Sequence, residues 1–277
     1  MILLVASSAI VHTLMMTYRS DSIWIEDWNM ALGVQILKGG GQQNVTAFIA
    51  INLGDIAIIA ADKKEVFIQG DFVIPIHESA NKIIDSGIGL MTGSGYVSLL
   101  QDVKDQVANC TIKSTDQILS LISAARQKLQ EFHGVDEHQK TKNLCTTGWL
   151  FTYLTSLNGE RSLRVALFHP SLSTTQISII DVNRPKILFP SDINEAQAAY
   201  YSRQLSDHFM PVMENKTDEA LSINIGLILQ IFSELSGVSQ SVSAAVDIGL
   251  VTSSGEQYIA ESATVDSGNL DFVPFRS

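Results

Sequence analysis

Short apolar runs predict that a pair of strands opens the folded part of the chain. Residues 46–52 and Ile56–Asp62 are apolar almost throughout, and Gly54 lies between them, as is typical of a tight hairpin turn. Because neither run alternates between apolar and polar residues, this sheet is expected to be covered on both faces. Further short strands are predicted at residues 66–76, 82–84 and 87–91.

A change of period after these strands predicts two helices. Leu99, Val103 and Val107 recur at the spacing of one helix face. Ser114 and Gln117 then form a capping-box pattern, which is typical of the start of a second helix. Two consecutive helices after several strands indicate a helical layer on one face of the sheet.

The second half of the chain repeats this order of elements. Strands, two helices, strands, two helices and strands predict an α+β fold. The two halves indicate a four-layer α-β-β-α sandwich, with two sheets inside and helices outside. Strands are predicted at residues 146–155, 161–168, 175–180, 186–189, 245–252 and 256–263, and helices from residue 192 and over residues 218–235.

The beginning of the chain is predicted to be an extension, residues 1–45, that precedes one domain at residues 46–277. The extension closes with a glycine-rich run at residues 39–43, and residues 28–37 have the pattern of a short amphipathic helix. Residues 2–16 are mostly apolar, but no Lys or Arg precedes them, whereas a signal peptide begins with positive charge. A pro-segment or a docking element is therefore favoured over a signal or membrane anchor.

Composition narrows the classes of function. The 277 residues include 18 Lys or Arg and 29 Asp or Glu, and the net charge of −11 argues against nucleic acid as a partner. Only 17% of the residues are charged and 45% are hydrophobic, which indicates a large core. Cys110 and Cys145 lie in unrelated contexts and are expected to be reduced, buried thiols. Apart from the N-terminus, no membrane span is expected, although residues 223–232 are very apolar.

Four motifs, taken in order, resemble the opening of a proteasome-type subunit. Such subunits belong to the N-terminal-nucleophile hydrolase superfamily. The motifs are a threonine that begins the first strand, Thr46, and an Ala-Ala-Asp that ends the second strand at Asp62. Lys82 followed by Ile enters the next strand, and a glycine, Gly93, precedes the first helix. A weaker resemblance extends to about residue 260.

This resemblance implies a threonine nucleophile. Thr46 would attack a peptide carbonyl with its hydroxyl group, and its own α-amino group, freed by cleavage after Val45, would serve as the base. Lys82 would depress the pKa of that amine, and Asp62 would pair with Lys82 and orient it. The backbone N–H near Gly93 would form the oxyanion hole.

Supporting residues are assigned by the same resemblance. The family's serine before its third helix corresponds to Ser191. A later Asp-x-x-Ser-Gly motif corresponds to residues 239–243, where the aspartate is absent and Ser241 or Ser243 stands in the region. The segment between Asp62 and Lys82 is a few residues longer than is usual in the family.

The resemblance implies a threonine-type peptidase in the cytoplasm that acts on peptides or unfolded protein within a homo- or hetero-oligomeric ring, with an ATPase as a further partner. No cofactor and no metal are expected, since the His- and acid-rich segment at residues 131–138 is interpreted as a solvated loop. Two alternatives stay open. One is a non-catalytic proteasome-fold subunit, because residues 28–41 resemble the helix and Lys-Gly that precede the first strand of α-type subunits. The other is an amidohydrolase of the same superfamily that acts on a small amide.

Overall fold

Thirteen strands and five helices form the described part of the chain, which in this computed structural model comprises residues 46–69, 72–77, 79–133, 136–157, 160–213, 216–268 and 270–275. The strands are β1 (Phe48–Asn52), β2 (Ile56–Asp62), β3 (Glu65–Gln69), β4 (Phe72–His77), β5 (Ile84–Asp85), β6 (Leu90–Ser94), β7 (Gly148–Leu157), β8 (Glu160–Phe168), β9 (Ser178–Ile180), β10 (Lys186–Leu188), β11 (Val246–Thr252), β12 (Gln257–Ala263) and β13 (Val273–Pro274). The helices are α1 (Val97–Ala108), α2 (Thr115–Glu131), α3 (Glu137–Thr146), α4 (Glu195–His208) and α5 (Thr217–Val238). The predicted extension at residues 1–45 and its predicted helix lie outside the described residues.

The predicted first hairpin is the centre of a six-stranded antiparallel sheet with the order β10-β1-β2-β11-β12-β13. Phe48 of β1 lies opposite Ala61 of β2, so the start of β1 adjoins the end of β2. The turn that joins them places Gly54 at a φ of 91°, a conformation that side chains disfavour. This pairing brings residues 46 and 47 beside Asp62.

Two smaller sheets complete the strands. β5 to β9 form a five-stranded antiparallel sheet in chain order, and β3 pairs with β4 as a separate hairpin. The sequence predicted one β-rich stretch at residues 66–76, whereas the structure divides it into two strands. This hairpin lies between Asp62 and Lys82 in the chain.

Three apolar clusters organise the core. Successive β1 side chains point to opposite faces of the sheet. Accordingly, Ile49 packs in a cluster with α4 and α5, while Phe48 packs in a second cluster that includes Leu150 and Val165 of the five-stranded sheet. The third cluster joins that sheet to α1 and α2, through residues such as Trp149 and Val103. Both faces of β1 are thus buried, as its uninterrupted apolar run predicts.

Helix α5 is the one helix in the described ranges that is long and apolar enough to cross a membrane by length and composition. Its most apolar window is 39% buried. Ile228 and Phe232 are fully buried in the cluster shared with β1 and β2. Packing against the sheet accounts for this apolar side of the helix.

The α+β class is confirmed, with antiparallel sheets and five helices in the described residues. Three helices follow the first strands, whereas two were predicted. The third helix, α3, lies in a segment that was interpreted as a polar loop. Its buried residues Gln139, Lys140 and Asn143 are polar, so the segment has no apolar period to detect. Asp136 begins it by accepting hydrogen bonds from two backbone N–H groups. The prediction of buried thiols is wrong, since both cysteines are exposed.

Candidate active site

Thr46 lies two residues before the start of β1 and is buried, with 2% of its surface exposed. Its backbone N–H donates to Ser94 Oγ at 3.2 Å, and Ser94 Oγ donates to the Thr46 carbonyl at 2.9 Å. Ser94 ends β6, in the other large sheet. The nucleophile predicted from the sequence is therefore held at a junction between the two sheets.

Asp62 connects three neighbouring segments at the end of β2. Its Oδ1 accepts from the backbone N–H of Ala47 at 3.0 Å and from Lys82 Nζ at 3.2 Å, and its Oδ2 accepts from the backbone N–H of Lys64 at 2.9 Å. The pairing of β1 with β2 brings the carboxylate to the residue that follows Thr46. The structure thus brings together Thr46, Asp62 and Lys82, which lie far apart in sequence.

Burial shifts the pKa values of both residues of the Asp62–Lys82 ion pair. Removal from water raises the pKa of Asp62, and the charge of Lys82 and backbone hydrogen bonds oppose that rise. Removal from water also lowers the pKa of Lys82, although the carboxylate of Asp62 opposes it. The Lys82 ammonium also donates to the carbonyl of Lys64. Burial therefore shifts the pKa of each partner toward its neutral form, and the attraction between the two charges opposes that shift.

Gly93 lies in β6 at the wall of a cavity that Thr46 also lines. A Cβ atom at Gly93 would lie 2.6 Å from Leu100 Cδ2 and 2.9 Å from the Gly148 carbonyl oxygen, so the position does not accept a side chain without movement of its neighbours. The cavity is lined by Thr46, Glu65, Lys82, Gly93, Val97, Leu100, Gln101 and Lys104. Three of the predicted site residues thus border one cavity, and Asp62 contacts it through Lys82.

Helix α1 forms one wall of this cavity. Val97, Leu100, Gln101 and Lys104 follow the spacing of one helix face. The helix begins at Val97, so its N-terminal end, which carries partial positive charge, lies beside the cavity. Leu100 belongs both to this face and to the buried stripe of the helix, so the two faces adjoin.

Two charged residues of the cavity were missed by the sequence analysis, Lys104 and Glu65. Burial and, to a smaller extent, the charge of Lys82 lower the pKa of Lys104 to about 8, and the charge of Glu65 opposes the shift. Within the described residues, neither side chain makes an ion pair or a hydrogen bond. A lysine on the polar side of a helix and an acid at a strand start are ordinary surface patterns, so the sequence offered no signal for either.

The supporting serines are divided between two places. Ser243 adjoins the site, because its Oγ accepts from the Lys63 N–H at 2.9 Å and its backbone N–H is near enough to oppose the rise in the pKa of Asp62. Ser241 is buried elsewhere and donates to Asp192 Oδ1 at 2.6 Å. Ser191 is exposed, and its neighbour Asp192 makes the contacts instead. Of the three, the structure brings only Ser243 to the ion pair.

A second buried ion pair lies behind the first. Lys63 Nζ lies 2.7 Å from Asp247 Oδ1 and donates to Asn81 Oδ1 at 3.0 Å. The backbone N–H of Ser262 also donates to Asp247 Oδ1. Lys63 does not line the cavity beside Thr46, which agrees with the choice of Lys82 as the matching lysine.

A metal-binding site requires several His, Cys, Asp or Glu side chains close together. Among the residues that the structure describes, no group of three or more His, Cys, Asp or Glu side chains is arranged to hold a metal ion. Asp136 and His138, which belong to the acid- and His-rich segment, lie at the start of α3.

Solved structures share this arrangement of sheets and helices. The fold is similar to that of Anbu proteins. An Anbu mutant from Hyphomicrobium sp. strain MC1 has a TM-score of 0.51 and 13% identity, over 84% of this chain and 87% of that chain. Anbu from Yersinia bercovieri, described as an ancestral beta-subunit, has a TM-score of 0.50 and 11% identity, over 82% of this chain and 86% of that chain. No protein-family model and no curated protein matches the sequence.

These neighbours correct the resemblance drawn from the sequence. That resemblance pointed to a subunit of the proteasome or of a bacterial proteasome-like peptidase, whereas the neighbours are Anbu proteins, which are proteasome-like but form a distinct family. A proteasome-like relation therefore holds at the level of the fold. The short motifs at Thr46, Asp62 and Lys82 fix a hairpin and an ion pair, and such local geometry does not distinguish families that share a fold.

Proposed function

We propose that this chain is a threonine-type peptidase whose nucleophile is the hydroxyl group of Thr46. One observation carries the proposal: Thr46, the Asp62–Lys82 ion pair and Gly93 come together at one cavity from four separate segments. Removal of residues 1–45 would free the α-amino group of Thr46 and leave a domain at residues 46–277. Peptides or unfolded protein are the proposed substrates.

The α-amino group of Thr46 would act as the base. Lys82 lines the same cavity, and its positive charge disfavours protonation of a nearby amine, so the amine is available to accept a proton near neutral pH. Asp62 holds Lys82 in place and also binds the N–H of Ala47, which fixes the residue after the nucleophile. The proton of the Thr46 hydroxyl would pass to the α-amino group as the oxygen attacks.

The rest of the reaction follows from this proton transfer. Attack on the peptide carbonyl gives a tetrahedral oxyanion, which the backbone N–H near Gly93 and the adjoining start of α1 would stabilise. The α-ammonium group then returns its proton to the departing amine, leaving an ester on Thr46. Water hydrolyses the ester with the α-amino group again as base, which restores the enzyme.

The three apolar clusters support the finer fold assignment. One joins α4 and α5 to the six-stranded sheet, one joins the two large sheets, and one joins the five-stranded sheet to α1 and α2. We infer from this succession a four-layer α-β-β-α sandwich of the N-terminal-nucleophile hydrolase type.

Assembly is a separate part of the proposal. Exposed apolar side chains, including Ile74 and Ile76 on β4, are surfaces that a neighbouring subunit could cover. We propose a cytoplasmic homo- or hetero-oligomeric ring, with an ATPase as the partner that would supply unfolded protein. Light scattering on the purified chain tests the ring, because a monomeric mass at micromolar concentration would contradict it for a single type of subunit.

Intact-mass analysis and peptide hydrolysis test the catalytic proposal together. The wild-type chain should yield a species that begins at Thr46 and should hydrolyse fluorogenic peptides. Thr46→Ala should keep residues 1–45 and lose hydrolysis by about 10³-fold or more. Thr46→Ser is the matched control, because it keeps a hydroxyl group and should retain measurable processing and hydrolysis. Unchanged hydrolysis in Thr46→Ala would show that the nucleophile lies elsewhere.

One other outcome would favour the non-catalytic alternative. If the wild-type chain keeps residues 1–45 under all conditions and shows no hydrolysis, the α-amino group is never freed and the peptidase proposal is wrong. Hydrolysis of small amides but not of peptides would instead favour the amidohydrolase.

A further inference from the structure

We propose that Ser94 is a positioning residue that holds the nitrogen atom of Thr46 and thereby sets its basicity. The inference deepens the proposed function and rests on it for its catalytic consequence. Ser94 was not among the candidates drawn from the sequence. Its contacts with Thr46 are the reason for its selection.

Ser94 forms hydrogen bonds with both the backbone N–H and the backbone carbonyl of Thr46. Its Oγ accepts from the Thr46 N–H at 3.2 Å and donates to the Thr46 carbonyl at 2.9 Å. Because a hydroxyl group has a single proton, the bond to the carbonyl commits that proton and leaves the lone pairs of Oγ for the nitrogen. Ser94 is therefore a fixed acceptor for whatever hydrogen the Thr46 nitrogen carries.

The surroundings hold the Ser94 hydroxyl in place. Only 3% of the surface of Ser94 is exposed, and the residue pairs with Gly148 between β6 and β7. A Cβ atom at Gly148 would lie 3.0 Å from the Phe168 carbonyl oxygen, so the strands on that side are closely packed. The other candidate hydroxyl groups are committed elsewhere: Ser241 donates to Asp192, and Ser243 donates to the Ala245 carbonyl. Ser94 is thus the side chain that accepts the hydrogen bond of the Thr46 nitrogen.

The consequence concerns the amine that processing would release. A fixed acceptor stabilises the protonated amine and so raises its pKa, in opposition to the nearby ammonium of Lys82. Loss of the Ser94 hydroxyl should therefore lower the pKa of the amine and loosen its position. The charged groups that face this region are Asp62 from the end of β2, Glu65 from β3, Lys82 from the segment before β5 and Lys104 from α1.

Hydrogen exchange tests the contact independently of catalysis. In the full-length Thr46→Ala chain, which should not be processed, the amide at position 46 keeps its bond to Ser94 Oγ. Adding Ser94→Ala should speed exchange of that amide by about tenfold or more. Ser86→Ala is the matched control, since Ser86 is also buried and donates to a backbone carbonyl, that of Gly89, at 2.8 Å. Equal exchange at position 46 with and without the Ser94 hydroxyl would overturn the contact.

The pH dependence of kcat/KM tests the catalytic consequence in the processed enzyme. In Ser94→Ala, the acid limb of the profile should move to lower pH by about 0.5–1 unit, and kcat should fall about tenfold. Ser94→Cys, whose sulfur is a weaker acceptor, should give an intermediate shift. Ser86→Ala should leave the limb in place. A lower kcat with an unmoved acid limb would show that Ser94 only supports the fold, which contradicts the proposal.

The two failures are distinguishable. If the wild-type chain neither processes itself nor hydrolyses peptides, the proposed peptidase is wrong. The exchange measurement on the full-length chain then still decides whether Ser94 holds the Thr46 nitrogen.

Discussion

Two consecutive residues at the end of β2 form two buried ion pairs that differ in their surroundings. Asp62 pairs with Lys82 at 3.2 Å, and Lys82 lines the cavity beside Thr46. Lys63 pairs with Asp247 at 2.7 Å. Lys63 also donates a hydrogen bond to Asn81, and Asp247 accepts one from the backbone N–H of Ser262. The same kinds of charged groups thus occur once at a cavity and once within the scaffold.

This difference indicates separate uses for the two pairs. Burial raises the pKa of Asp62 and lowers the pKa of Lys82, and Lys82 borders the cavity that Thr46 also lines. Lys63 and Asp247 instead connect β2 to β11, and Lys63 binds the side chain of Asn81 close to Lys82. We expect the first pair to govern activity and the second to govern stability.

Lys82→Met offers the strongest test of this comparison. In the proposed mechanism it removes the ammonium group that would lower the pKa of the Thr46 amine, and we expect kcat to fall by about 10³-fold. Asp62 keeps its bonds from two backbone N–H groups and can be protonated, so the fold should persist. Steady-state hydrolysis and circular dichroism measure the two effects. A Lys82→Met enzyme with more than a tenth of wild-type kcat would remove Lys82 from the mechanism.

Asp247→Asn tests the scaffold pair. The change leaves the buried ammonium of Lys63 without its countercharge, and we expect a loss of about 2–4 kcal/mol in the free energy of unfolding. The kcat of the molecules that remain folded should stay close to the wild-type value, because neither residue borders the cavity. Urea denaturation gives the first quantity, and hydrolysis normalised to folded protein gives the second. A large loss of normalised kcat with unchanged stability would reverse the proposed division.

The sequence predicts best those features that neighbouring residues determine. The bounds of β2 agree with the predicted run, and the pairing of β1 with β2 follows from a short turn, so the position of Asp62 beside residue 47 follows as well. The proximity of Thr46, Lys82 and Gly93 was inferred from the resemblance of short motifs. Periodicity could not have supplied it.

Features that depend on distant polar contacts were missed. Ser94 and Thr46 are 48 positions apart, and the serine ends a buried strand that was predicted only as far as residue 91. Helix α3 buries polar residues, and Asp192, rather than Ser191, binds Ser241. None of these contacts leaves a pattern in hydrophobicity, because each is fixed by where separate segments meet after folding.

Lys104→Met tests the smallest expected effect, which comes from the second lysine that lines the cavity beside Lys82. Lys104 has a pKa of about 8 in the folded chain, against 10.5 for an ordinary lysine. Below pH 8 the lysine is charged in both folded and unfolded chains, and the folded chain bears the cost of holding that charge away from water. Between pH 8 and 10.5 the unfolded chain binds more protons than the folded chain, so this cost disappears as the pH rises.

The substitution should therefore stabilise the protein at pH 7, by about 1–2 kcal/mol in the free energy of unfolding, and the gain should vanish toward pH 10.5. Urea denaturation at pH 7, 8.5 and 10 measures the trend. Lys128→Met is the matched control, because Lys128 is exposed and pairs with Asp102 at the surface, so its substitution should show no such dependence on pH. A gain at pH 7 that persists at pH 10 would mean that methionine stabilises by packing alone. In that case the buried charge of Lys104 does not destabilise the folded protein. The difference between the two ion pairs would then rest on Asp62 and Lys82 alone.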